Sequence, residues 1–267
     1  MIDYLDFFAK TVLEFSHETI IIPILIMGYI WINREIFFHS ICLVLLSMIF
    51  NSSLKATFQI PLAPHIGKEG FAFPSGHMQT SMVLYGFLYT FTRNKLLKNS
   101  LIVLLIMIGT SLIYFGYHNI ADILGAVFFA LALIYLYKYL KISMETRYLF
   151  LVIIAFTSVC LVYIKLIHAI PPHLWMAYFA VFGLLISQYY FDYGGVLGNP
   201  TQKTKLVATI CCFSFLFLVN VVFSVKSEMA LLIAPLRWLC IGALIPFSVF
   251  LSNLICMQDR RGNNAKN

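Results

Sequence analysis

Residues 99–116 read NSLIVLLIMIGTSLIYFG, eighteen consecutive positions without a charged side chain. A helix that crosses a lipid bilayer needs about 20 predominantly apolar residues, so this stretch predicts a transmembrane helix. The rest of the chain has the same character, because 61% of its 267 residues are hydrophobic and only 11% are charged. Soluble domains carry about 25% charged residues. The sequence therefore predicts an all-α, polytopic membrane helical bundle.

Similar apolar blocks lie on both sides of this stretch and predict about eight or nine transmembrane helices in total. Residues 1–17 differ, because the apolar side chains from Leu5 to Phe15 share one helical face and predict an amphipathic helix in the membrane interface. The expected spans are residues 18–33, 36–54, 74–92, 99–116, 119–140, 148–168, 173–191, 205–225 and 229–254.

The distribution of basic residues predicts which helix ends face the cytoplasm. With the connection at 34–35 placed inside, twelve of the eighteen Lys and Arg residues fall on the cytoplasmic side, as the positive-inside rule favours. This orientation places the loop 55–73 outside and the tail 255–267 in the cytoplasm. The positive-inside bias also explains the formal net charge of +7. The basic residues are scattered over short loops and form no basic run, so no nucleic-acid partner is expected.

Two short motifs lie at the predicted outer ends of the helices. The first is Pro-Ser-Gly-His at 74–77, which opens a predicted span after the loop 55–73. Proline suits the first turn of a helix, and the free backbone N–H groups of that turn attract anions. Ser75 adds a hydroxyl donor, and Gly76 allows a phosphate oxygen to approach the backbone. Lys55 adds positive charge where the preceding span ends.

The second motif is His118 followed four residues later by Asp122, at the start of another predicted span. This spacing places both side chains on one helical face, so the carboxylate can hold one imidazole nitrogen and leave the other free to attack. Acidic residues within transmembrane segments are costly and mark functional sites. The pair therefore indicates histidine-based chemistry on the same side of the membrane as the first motif.

Lys55, the tetrad at 74–77 and the His118–Asp122 pair together resemble the three motifs of the type 2 phosphatidic-acid phosphatase superfamily. The resemblance covers roughly residues 18–141. It implies a six-helix phosphatase-like membrane core at 18–168, followed by additional transmembrane helices at 169–254.

The resemblance also implies a role for each motif residue. His118 would be the nucleophile that forms a phosphohistidine, Asp122 would orient it, and His77 would protonate the leaving group. The phosphoryl oxygens would be bound by Lys55, Ser75 and Gly76. This scheme requires no metal and no cofactor. The additional C-terminal spans, and Gln79 as the last residue of a P-S-G-H-x-Q motif, resemble a longer bacterial branch of the family. The expected location is therefore a bacterial inner membrane, with the active site on the periplasmic side.

The chain departs from the family pattern where two arginines are expected. Leu62 and Ala63 stand in place of the Arg-Pro pair after Lys55, and Leu112 stands in place of the arginine after Ser111. Arginine binds phosphate through two parallel hydrogen bonds, so its loss weakens an ordinary phosphatase site. The basic side chains that can replace it are His65, Lys68, Lys165, His168 and Arg237, with Lys68 and Arg237 as accessory site residues.

These observations favour a membrane-embedded hydrolase that acts on a lipid phosphate or isoprenoid diphosphate at the outer leaflet. Two alternatives use the same scaffold: a lipid headgroup phosphotransferase, as the similarity to sphingomyelin synthases suggests, or a catalytically inactive protein that binds or transports lipids. A weaker alternative is an ion-coupled transporter with Asp122 and Arg237 as its intramembrane charges. The expected partner is a membrane lipid substrate, and the oligomeric state is open.

Overall fold

The computed structural model describes residues 2–67, 69–192, 201–223 and 230–264, and it is mainly α-helical in these ranges. A π-helical turn, Gly28–Ile32, extends the second helix. The helices are α1 (Ile2–Glu14), α2 (Glu18–Met27), α3 (Arg34–Phe58), α4 (Gly76–Phe91), α5 (Lys95–Tyr114), α6 (Ile120–Ser143), α7 (Thr146–Ile167), α8 (Pro172–Asp192), α9 (Gln202–Val222) and α10 (Ala230–Asn264).

Seven helices of the described ranges are long and apolar enough to cross a membrane. The helices Tyr4–Glu14 and Glu18–Ile32 meet at 46° and raise the number to eight if they form one broken span. Helix α4 has only 16 residues, about 24 Å at 1.5 Å per residue, which is shorter than the roughly 30 Å hydrocarbon core. The predicted all-α, polytopic membrane bundle is confirmed.

The chain divides into two compact units, and the first consists of Met1–Leu25 and Phe38–Leu174. Within it, α4 packs against α5 and α6. The contacting faces combine large and small side chains that are fully buried, among them Leu84, Phe87, Ile108, Ala126 and Ala130. Small residues on α6 allow a helix to approach closely, which is the usual way that helices pack within a membrane.

Helix α1 belongs to this first unit and packs against α5. Its buried face consists of Ala9, Val12 and Leu13. The Tyr114 hydroxyl donates a hydrogen bond to Asp6 Oδ1 at 2.7 Å, and the Tyr85 hydroxyl donates to the Phe15 carbonyl at 2.7 Å. These contacts attach the N-terminal helix to α4 and α5, whereas its place in the membrane interface stays a prediction.

The second compact unit consists of Ile26–Phe37 and Trp175–Asn267. Helices α8 and α10 touch through their backbones, because a side chain at Gly183 would meet the Leu239 carbonyl and one at Gly242 would meet the Ala180 carbonyl. Helix α9 packs against α10. The additional C-terminal helices therefore use glycine to bring two spans into direct contact.

Candidate active site

The Pro-Ser-Gly-His tetrad forms the beginning of α4. Ser75 is the N-cap and is fully buried, and its Oγ accepts a hydrogen bond from the Met78 N–H at 3.5 Å. The backbone N–H groups of Gly76 and His77 lie in the first turn, where a helix attracts anions. A β-carbon at Gly76 would lie 3.3 Å from Asn51 Oδ1, so glycine lets the Asn51 amide pack close to the first turn of α4.

His118 and Asp122 form the hydrogen-bonded pair that their spacing predicts. His118 Nδ1 lies 3.3 Å from Asp122 Oδ2, and the two side chains are 9% and 3% exposed. Asp122 also takes part in a capping box, because its carboxylate accepts from the Asn119 N–H at 3.0 Å while Asn119 Oδ1 accepts from the Asp122 N–H at 2.9 Å. The carboxylate is therefore fixed at the start of α6 and leaves His118 Nε2 as the nitrogen that can attack.

A backbone hydrogen bond joins the two motifs directly. The Ser75 N–H donates to the Asp122 carbonyl at 3.2 Å. Next to it, a β-carbon at Gly125 would clash with the ring of Phe73, so glycine at this position lets the segment before the tetrad lie on α6. Motifs that are separated by more than forty residues in the sequence thus meet at one end of the first unit.

A buried polar bridge supports the tetrad from α3. Asn51 Nδ2 donates to the Pro74 carbonyl at 3.2 Å and to Gln79 Oε1 at 2.8 Å. Gln79 in turn reaches Ser47 Oγ at 3.4 Å. Asn51 is 6% exposed, and Gln79 and Ser47 are fully buried. Buried amides of this kind hold neighbouring helices in one register, because each unsatisfied group would be costly.

Lys55 lies on the same end of α3, one turn after Asn51. Its ammonium is close enough to the Asp122 carboxylate and to both motif histidines, His77 and His118, to act on them electrostatically. The structure therefore places Lys55, the tetrad and the His118–Asp122 pair in one cluster. Positive charge next to two histidines and a helix N-terminus suits a phosphoryl group.

The pKa of His118 lies below its ordinary value of 6.5, because burial of the imidazole outweighs the hydrogen bond and the negative charge of Asp122, which both raise it. The positive charge of Lys55 lowers the pKa further. An imidazole with a lowered pKa is neutral at pH 7, and only the neutral form has a lone pair with which to attack phosphorus.

Leu112 and two of the possible replacements for the missing arginines, His65 and Arg237, are either apolar or hydrogen-bonded to other groups. Leu112 is 2% exposed inside the helical core. His65 Nε2 donates to the Gly116 carbonyl at 2.9 Å, which attaches the outer loop to the turn before His118. Lys68 lies outside the described residues. Arg237 belongs to the second unit, where its Nη2 donates to Asn220 Oδ1 at 2.6 Å. Its accessory role stays a prediction.

Three residues of this region were not identified from the sequence. Asn51 and Asn119 carry signals that could have identified them, because an amide lies one turn before Lys55 and an N-cap lies three residues before Asp122. His17 carries no such signal. It lies between α1 and α2, and its ring centroid is 4.9 Å from that of His77.

Replacing Asn51 with leucine is expected to weaken both the fold and the site, because the Pro74 carbonyl and Gln79 would lose their buried donor. We expect a loss of about 1 kcal/mol in unfolding free energy, the usual scale for such bonds between membrane helices. Thermal unfolding of the purified protein checks this. Thr110→Val is the matched control, because the Thr110 hydroxyl bonds only within its own helix, and an equal loss in both variants would contradict the bridging role.

Comparison with known proteins agrees with this geometry. No curated protein and no solved structure shows significant similarity to the chain. Residues 36–143, however, match the family model of the PAP2 superfamily. This segment contains α3 to α6 and every motif residue of the cluster, from Lys55 to Asp122. The resemblance to the type 2 phosphatidic-acid phosphatase superfamily is thereby confirmed over residues 36–143.

Proposed function

We propose that the protein is a membrane-embedded phosphohydrolase that acts on a lipid phosphate or an isoprenoid diphosphate at the outer leaflet. The observation that carries the proposal is the hydrogen bond between His118 and Asp122. This pair lies next to the Pro-Ser-Gly-His tetrad that begins α4, and a backbone hydrogen bond joins the two motifs. A carboxylate-held imidazole beside a helix N-terminus combines a nucleophile with an anion site. Lipid substrates fit because the site lies at the ends of apolar helices.

The reaction follows from the positions of the groups. Nε2 of neutral His118 attacks phosphorus, a P–N bond forms, and the P–O bond to the leaving group breaks. The bound phosphoryl anion favours the protonated form of His77, which then gives its proton to the departing oxygen. Water then attacks the phosphohistidine, the P–N bond breaks, and His77 takes the proton from the water. Lys55 and the N–H groups of α4 stabilise the charge on the phosphoryl oxygens throughout.

Transfer to a second lipid is the alternative that the departures from the family pattern favour. Leu62 and Leu112 stand where the arginines would bind a free phosphate monoester. A phosphodiester headgroup carries less negative charge and depends less on such a clamp. In a transferase the acceptor alcohol would replace water in the second step, with the same role for His118.

The proposal is tested with the purified protein and a panel of lipid phosphates and isoprenoid diphosphates, with released phosphate as the measurement. A parallel panel combines phosphocholine and phosphoethanolamine lipids with diacylglycerol or ceramide as the acceptor. We expect release from at least one member of the first panel. Turnover in the second panel alone would show that the protein is a transferase and not a hydrolase. If folded protein turns over no member of either panel, a binding or transport protein is indicated.

A further inference from the structure

A further basic side chain lies next to the cluster in the N-terminal segment, outside residues 36–143. His17 lies in the turn between α1 and α2, and its exposed imidazole lies against that of His77, with 4.9 Å between ring centroids and a tilt of 45° between the ring planes. A third histidine therefore faces the cluster from an element that the family motifs do not include.

Several contacts fix the position of this turn. The Phe15 carbonyl accepts from the Tyr85 hydroxyl of α4, and Ser16 Oγ donates to the Leu13 carbonyl at 2.7 Å. The His17 carbonyl accepts from the N–H groups of Ile20 and Ile21 and so begins α2. His17 is thus held by the backbone on both sides, which reduces the entropy lost when its ring binds a ligand.

We propose that His17 is a phosphoryl-binding residue of the site and takes the place of an arginine of the family clamp. The proposal rests on the hydrolase or transferase function proposed above. An imidazole donates a hydrogen bond to a phosphoryl oxygen in either protonation state, and it adds positive charge when it is protonated. Two imidazoles this close repel each other when both are charged, and a phosphoryl dianion bound beside both rings relieves that repulsion.

Charged groups on the surrounding elements agree with an anionic ligand here. Lys55 of α3, His77 of α4 and His118 before α6 are all basic, and His173 at the start of α8 lies within electrostatic reach of Lys55. Glu18 of α2 lies within electrostatic reach of His173, and Glu14 and Glu18 flank the turn of His17. Basic groups outnumber these acids and Asp122 in this set, and Asp122 is engaged with His118.

The test compares His17→Gln with His17→Arg. We expect His17→Gln to raise KM and the dissociation constant of inorganic phosphate by about tenfold, the scale of one lost charge-assisted contact, while kcat changes less. His17→Arg restores a permanent cation and is expected to stay within about twofold of the wild type. Lys10→Gln is the control, because it removes one positive charge from an exposed position on α1.

The outcomes separate this inference from the proposed function. Unchanged phosphate affinity in His17→Gln, or no phosphate binding by the wild type, would overturn the role of His17. Equal losses in His17→Gln and His17→Arg would also overturn it, because a packing role does not require charge. A wild type that turns over no substrate but binds phosphate through His17 would overturn hydrolysis and transfer and leave the binding site in place.

Discussion

Phosphate release is expected to fall by about 10⁴-fold or more when His118 is replaced by alanine, because the nucleophile of the proposed reaction is lost. The other parts of the site would remain, since Asp122 keeps its hydrogen bond to the Asn119 N–H. The variant should therefore still bind inorganic phosphate. The measurements are kcat/KM on the active substrate and labelling with a ³²P-phosphate ester, quenched in alkaline detergent.

The labelling experiment identifies the chemistry as well as the residue. A phosphohistidine is lost in acid and survives in base, unlike a phosphoserine, so the label in the wild type should show this stability and should be absent from His118→Ala. Full turnover by His118→Ala would rule out the covalent route. A label that persists on Ser75 instead would assign the nucleophile to the tetrad.

The second large effect is expected for Asp122→Asn, with a loss of about 10²- to 10⁴-fold in kcat/KM. An amide oxygen can still accept the Asn119 N–H, so the cap of α6 is kept. The amide cannot supply the negative charge that stabilises a cationic phosphohistidine, and it no longer selects the imidazole tautomer with Nε2 unprotonated. Glu145→Gln, at the exposed N-cap of α7, is the matched control and should keep full activity.

The pH profile gives this variant a second, independent measurement. The pKa of His118 is already lowered by burial, and Asp122 is the group that raises it. The rate should rise with pH as His118 loses its proton, with a midpoint below 6.5 in the wild type. Removal of the carboxylate lowers the pKa further, so the rising limb should move to lower pH in Asp122→Asn. A shift to higher pH would contradict the assignment of the pair.

The absence of both arginines gives the site a different electrostatic character from that of the family pattern. The basic groups near the cluster in the first unit are mainly imidazoles, whose charge depends on pH, whereas a guanidinium is always charged. Substrates with less charge at the reacting phosphorus are favoured by such a site. The two substrate panels distinguish these possibilities directly.

The sequence by itself determined the fold class and the pairing of His118 with Asp122. An apolar block such as 99–116 forms a helix in a bilayer, because a helix satisfies all the backbone hydrogen bonds of a single segment where no water is present. The four-residue spacing of His118 and Asp122 is likewise local, so their hydrogen bond follows from helix geometry alone.

The tertiary structure decided which distant residues complete the site. Three contacts join segments that are distant in the sequence: the bond from the Ser75 N–H to the Asp122 carbonyl, the bond from Asn51 to the Pro74 carbonyl, and the ring contact of His17 with His77. The periodicity of the sequence shows which side chains share a face of a helix, but it does not show which other helix packs against that face. Within a membrane, the packing partner is selected by close contact and buried polar groups. His17 therefore had no local signal, and only the packing of α1 against α5 revealed it.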